Sequence, residues 1–133
     1  MATRAEIAAE ARHPMAFFPH DAAAHRDIKC RRLIKRGGVE AYGRWWLLCE
    51  TLAETEGHRL KIDTEEDAEI VAEELGLDDA GDLMEFLRLL KSVGLVEMPG
   101  DGWAWSERMN RNAEYFGERR ANGKKGGRPK KAT

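Results

Sequence analysis

The large apolar residues of this chain fall into periodic stretches that read as helices. Val39, Tyr42, Trp46, Cys49 and Leu52/Ala53 recur at three- and four-residue steps, and Trp45, Leu47 and Leu48 widen that stripe almost to the full circumference. A helix apolar on most sides belongs in the middle of a domain. The pattern therefore predicts a central helix over residues 39–56, closed by Gly57. A helix over 22–36 precedes it, with Ile28, Leu33 and Ile34 as a thinner stripe, Asp21 as its N-cap and Gly37-Gly38 as its end. Thr64 followed by Asp67 resembles a capping box and opens a third helix over 65–75, with Ile70, Val71 and Leu75 inward. Asp78 or Asp79 caps a fourth over 80–93, with Leu83, Phe86, Leu87 and Leu90 inward.

Alternation with period two marks the strands. His58-Arg-Leu-Lys-Ile-Asp reads as one short strand, and Leu95–Met98 and Trp103–Ser106 flank the turn Pro99-Gly-Asp-Gly as a β-hairpin. Trp103 and Trp105 share one side of their strand; the expectation is that they cover the domain's own helices, with base stacking as the other reading. Residues 2–12 suggest a frayed Ala-rich helix stopped by Pro14, and residues 107–118 a short polar helix. From Arg119 onward no large apolar residue occurs, so a disordered basic tail is expected. Helix, strand, helix, short turn, helix and hairpin is the order of a winged helix-turn-helix. The predicted fold class is mainly α with a small β-hairpin, a winged helix with an extra N-terminal basic helix. Its expected division is an extension at 1–14, a winged-helix domain at 15–110, and a polar helix with basic tail at 111–133.

Composition adds limits. With 133 residues, 42% of them hydrophobic, the chain is long enough for one domain with a modest core. No apolar run approaches the roughly 18–20 residues that span a bilayer, and the expected location is the cytoplasm, with no membrane partner. Cys30 and Cys49 are too few for a disulfide framework; Cys49 reads as a small buried hydrophobe, while the basic neighbours of Cys30 favour a lowered thiol pKa. His13, His20, His25 and His58 have no compact metal-ligand spacing with either cysteine, and no base stands beside a nucleophile. No cofactor and no enzymatic activity are expected.

Charge distribution is more telling than its total of −2. Residues 1–61 carry 11 basic and 8 acidic side chains, residues 62–106 carry 2 and 13, and residues 107–133 carry 9 and 3. Salt limits the reach of exposed charge to about 8–10 Å, so local patches decide which partner binds. Arg26, Lys29, Arg32 and Arg36 follow helical steps and form one basic face, with Arg31 and Lys35 in an adjacent row. Arg119, Arg120, Lys124, Lys125, Arg128, Lys130 and Lys131, spaced by Gly, Asn and Pro, suit a phosphate backbone. The fourth helix holds the recognition position, yet Asp78, Asp79 and Asp82 crowd its start; Arg88 and Lys91 are its candidate DNA contacts.

Phe17-Phe-Pro-His-Asp, Asp27-Ile-Lys, and Ala41-Tyr-Gly-Arg-Trp-Trp-Leu-Leu-Cys-Glu-Thr-Leu form a pattern continued by Phe86-Leu and Gly94-Leu-Val-Glu. It resembles the N-terminal domain of the DnaD-like replisome organisers of phages and mobile elements, over roughly residues 15–110. That resemblance implies a winged helix, DNA binding and a role in starting replication, without catalytic residues. The partners it admits are DNA, duplex or single-stranded, replication proteins and a second copy of the chain. A protein-interaction or self-association module using the acidic segment, and a mobile-element transcriptional regulator, are the competing readings.

Overall fold

A computed structural model describes residues 1–126 of the chain. Arg128, Lys130 and Lys131 lie outside the described residues, so their expected phosphate contacts have no structural counterpart here. Five helices and a two-stranded antiparallel sheet are described: α1 (Arg4–Ala11), α2 (Ile28–Glu54), β1 (Arg59–Lys61), α3 (Glu65–Glu74), α4 (Ala80–Ser92), β2 (Trp103–Trp105) and α5 (Glu107–Gly126). A single 3-10 turn, Ala24–Arg26, precedes α2. No helix among the described residues is long and apolar enough to cross a membrane.

The two helices expected over 22–36 and 39–56 occur as one continuous element with a break. Gly38 adopts φ 78 and ψ 178, a backbone position that glycine reaches at little steric cost, and the helix resumes at once. The N-cap is Asp27 and not Asp21: its Oδ2 accepts from the backbone N–H of Lys29 at 3.0 Å and of Cys30 at 3.4 Å. Asp21 instead lies 3.6 Å from Arg108 of α5. Beside the break, Gly37 is the close approach of α2 to α4; a β-carbon there would lie 2.9 Å from Leu89 Cδ2.

The second half of α2 is the centre of the molecule, as its apolar circumference requires. Trp45, Leu48, Cys49 and Leu52 are almost fully buried, together with Leu33, Leu75, Leu83, Leu87, Leu90 and Met109. Burying each such leucine is worth roughly 1.5–3 kcal/mol against leaving it in water. Four residues expected inward are not: Ile28, Val39, Leu47 and Ile70 are 55%, 75%, 38% and 54% exposed. Each sits on its helix's outer side; Val39 is in step with the stripe but lies directly beside the break at Gly38. Helix α3 is capped by Thr64 and α4 by Asp79, whose Oδ1 accepts from Asp82 N–H at 2.8 Å.

The sheet joins distant strands. Arg59, Leu60 and Lys61 pair with Trp105, Ala104 and Trp103. On the other edge of β2, Glu97 exchanges backbone hydrogen bonds of 2.8 and 3.0 Å with Trp105. The expected strand at 95–98 is thus reduced to a single bridge, and the principal partner of β2 is β1. Inward positions belong to Leu60 and Ala104; Trp103 and Trp105 alternate with them and are partly buried, Trp103 lying under exposed Arg59 and Trp105 bordering Leu48, Leu52 and Leu87. Small Ala104 lets the sheet lie close on the core, where a tryptophan would not fit.

Helix α5 is longer than expected. Ser106, fully buried, opens it, with its Oγ accepting from Met109 N–H at 3.3 Å. The helix then continues through Gly126 along α1. Ala113, Gly117 and Ala121 form the buried row on α5, and a β-carbon on Gly117 would lie 2.7–2.9 Å from Ala11 backbone and side-chain atoms. Residues 119–126 are therefore helical and not the disordered tail predicted from their composition.

Candidate nucleic-acid interface

The first turns of α2 carry the basic face. Lys29, Arg32 and Arg36 share one row, Arg31 and Lys35 the next, and all five are exposed, as is Arg26 on the preceding turn. Among the described residues none of these six cations is ion-paired with a carboxylate. Contacts to α4 fix where this face lies. Arg36 Nη1 donates to Ser92 Oγ at 3.2 Å, and the Lys29 side chain crosses Gly94, just beyond the end of α4. Lys91 Nζ donates to the Met98 carbonyl at 2.7 Å, and Arg88, one turn before Ser92, is exposed. Arg36 and Lys29 therefore reach across a seam from the N-terminal half of α2 to the C-terminal end of α4, with exposed Arg32 on α2 and exposed Arg88 and Lys91 on α4 within one turn of these contacts along their own helices. The negative end of the α4 dipole favours cations at this place.

The opposite end of α4 is acidic. Asp78, Asp79, Asp82 and Glu85 crowd its first turns, where the dipole stabilises them. A helix with carboxylates at its leading end repels the phosphates that flank a groove, and Asp82 and Glu85 border the same cleft as Arg36.

The cations expected to form a free tail are divided. Arg120 Nη2 donates to the Glu10 carbonyl at 2.6 Å and its Nε lies 3.6 Å from the Glu10 carboxylate. Lys124 pairs with the same carboxylate, and Lys125 lies 2.6 Å from Glu6. Arg119 donates to the Tyr115 hydroxyl at 3.0 Å. These pairings hold the carboxyl groups of Glu6 and Glu10 below their ordinary range, the lysine contacts being the largest cause for each. Nothing in the sequence pattern of either helix, both poor in large apolar residues, indicated this match.

The Phe-Pro-His-Asp stretch is a packing device. Met15 N–H donates to Ala53 O at 2.8 Å, Phe18 stacks on Trp46 at 6.3 Å between centroids and His20 at 3.5 Å, and Arg108 sits 5.5 Å above the same ring. These contacts hold residues 15–21 across α2. His58 was missed as a junction: its ring nitrogens lie 2.8 Å from the carbonyls of Leu52 and Ala11, linking the ends of α2 and α1 to β1. Basic neighbours do not dominate at Cys30; burial pushes its thiol up, assisted by Asp27, and burial raises Cys49 further. On the outer sheet face Arg59 lies 3.8 Å above the Trp103 ring. Among the described residues no group of three His, Cys, Asp or Glu side chains is placed to hold a metal ion.

These elements define a mainly helical domain with a small antiparallel sheet and a basic seam between two helices. The Lin1244/Lin1753-like N-terminal family model matches residues 17–99, more than half of the chain, and the chain belongs to that family. The match runs from the clasp on Trp46 through the end of α4. No curated protein and no solved structure matches the chain.

Proposed function

We infer that this chain is a DNA-binding winged-helix domain of phage or mobile-element origin, acting in replication initiation through contacts to the phosphate backbone. The observation that carries the reading is the seam: Lys29 and Arg36 of α2 reaching the end of α4, with Arg32, Arg88 and Lys91 within one turn of these contacts, the α2 cations free of carboxylate partners among the described residues. Element order supports the winged-helix part, since α2, β1, α3, α4, the Glu97 bridge and β2 follow one another as such a domain requires. The motif resemblance to DnaD-like organisers supports the replication part. The acidic start of α4 argues for phosphate contacts that position the duplex over base contacts that read it.

The test is binding of the chain and of an Arg32→Ala/Arg36→Ala variant to a labelled mixed-sequence duplex across a salt series. Each lost phosphate contact lowers the slope of log K against log salt by about 0.9, so the double variant loses about 1.8. Both arginines are exposed, and such substitutions change stability by about 0.5 kcal/mol or less, so melting stays close to that of the parent. Binding that ignores salt, or an unchanged slope, overturns the reading.

A further inference from the structure

Helix α5 ends in Arg119, Arg120, Lys124 and Lys125, and three of these four meet α1. Two carboxylates, Glu6 and Glu10, face those three cations, so the basic surface is masked but not neutralised. His13 lies 3.8 Å from the Glu10 oxygen that Arg120 also approaches, and Thr3 caps α1 next to Glu6. The cover is short: α1 has eight residues, well below the length of about 12–15 at which an isolated helix holds in water. It exists because it docks, through the small-residue row at Ala113, Gly117 and Ala121 and through the Ala2 N–H donated to Asn122 Oδ1 at 2.8 Å.

We propose that the C-terminal part of α5 is a second polyanion-binding surface, and that α1 occupies it as an internal competitor which nucleic acid displaces. The geometry supplies both halves of the exchange. Arg120, Lys124 and Lys125 already hold carboxylate or carbonyl oxygens, and phosphate oxygens of a nucleic-acid backbone are acceptors of the same kind. The Lys125–Glu6 pair is exposed and screened by salt, while the Glu10 carboxylate, 11% exposed, is shared between Arg120 and Lys124. A backbone that engages several cations together and releases its counterions has the advantage over two carboxylates one turn apart on a short helix. Displacement melts α1 and joins α5 to the seam as a further point of attachment. This inference rests on the nucleic-acid reading only for its ligand class; its surface is a different one.

The experiment compares the full chain with a Glu6→Gln/Glu10→Gln variant, using the same labelled duplex and salt series, and adds hydrogen exchange of residues 4–11 in the parent with and without duplex. The expected result is tighter binding by the variant, with a salt slope steeper by about 2.7 for three released cations. Adding Lys124→Glu/Lys125→Glu to that variant abolishes the gain, and duplex accelerates exchange in α1 of the parent. If the parent binds and the variant binds with the same affinity and slope, or α1 exchange is unmoved at saturation, the α5 surface is overturned while the seam stands. If only the variant binds, α5 stands and the seam falls. If neither binds, both fall.

Discussion

The close passage of α5 over α1 makes one glycine on α5 unlike another, and the difference can be measured. Gly117 and Gly123 lie on the same helix. A β-carbon at 117 would stand 2.7 Å from the Ala11 backbone nitrogen, 2.8 Å from its Cα and 2.9 Å from its Cβ, whereas one at 123 meets nothing within 4 Å. Two of the three obstructing atoms are backbone, so relief requires the helices to move apart. Replacing glycine by alanine inside a helix gains about 1 kcal/mol of propensity, somewhat less near a frayed end. Forcing an extra methyl into a packed contact costs about 1–3 kcal/mol. The propensity gain is somewhat smaller at 123, near the helix end, so the difference between Gly117→Ala and Gly123→Ala gives a lower bound on the clash of about 1–3 kcal/mol, with Gly123→Ala the more stable. For a domain of this size that is roughly 4–12 °C in melting temperature. Calorimetry or circular dichroism of the two variants beside the parent provides the reading. Equal upward shifts would show that α1 does not rest on α5 in solution, and the masking argument would go with it.

Leu83→Ala removes a fully buried side chain of α4 and should cost about 2–5 kcal/mol in urea unfolding; a loss below about 1 kcal/mol would deny that α4 is closely packed. Both thiols are pushed up by burial, so neither Cys30 nor Cys49 should react with a disulfide reagent at mildly alkaline pH until denaturant is added; rapid labelling of Cys30 in the native state would contradict its placement. Glu6, facing Lys125 and Thr3, and Glu10, facing Lys124, Arg120 and His13, have carboxyl groups held below their ordinary 4.5. Their stabilising contribution is therefore fully present above that value and is lost as pH falls through the lower folded values. The melting-temperature gap between the parent and Glu6→Gln/Glu10→Gln should close on acidification from neutral pH, and a gap that persists in acid would contradict the pairing.

The elements with large apolar faces were the legible ones. Leu83, Phe86, Leu87 and Leu90 defined α4 and its cap, and the apolar circumference of α2 placed it at the centre. One cap was misplaced: Asp21 was expected to open the helix, but the turn at 24–26 intervenes and Asp27 caps it instead. The helix at 107–118 was expected, but its continuation and its docking on α1 escaped because that contact is made by what is missing. Ala113, Gly117 and Ala121 bury little apolar area, so no hydrophobic period announces them, and Gly-rich cationic sequence beyond Arg119 reads as unstructured in isolation. The basic face of α2 was legible as a row of charges, but its meeting with Ser92 depends on the Gly37 approach to α4, a tertiary fact. Alternation fixes which residues share a side, not which side the core takes, so the inward place of Ala104 between Trp103 and Trp105 was not legible.

The hydrogen bond from Ala2 to Asn122 has a topological consequence. It brings the first residues of the chain beside the last helix, so the described fold is nearly a closed ring. In such a ring the position of the break is a matter of convenience more than of architecture. A short linker joining the two ends, with a new opening cut in the exposed turn at 99–101, should give a permuted chain that keeps the same core, and whatever is fused before α1 or after α5 will emerge from one side of the molecule.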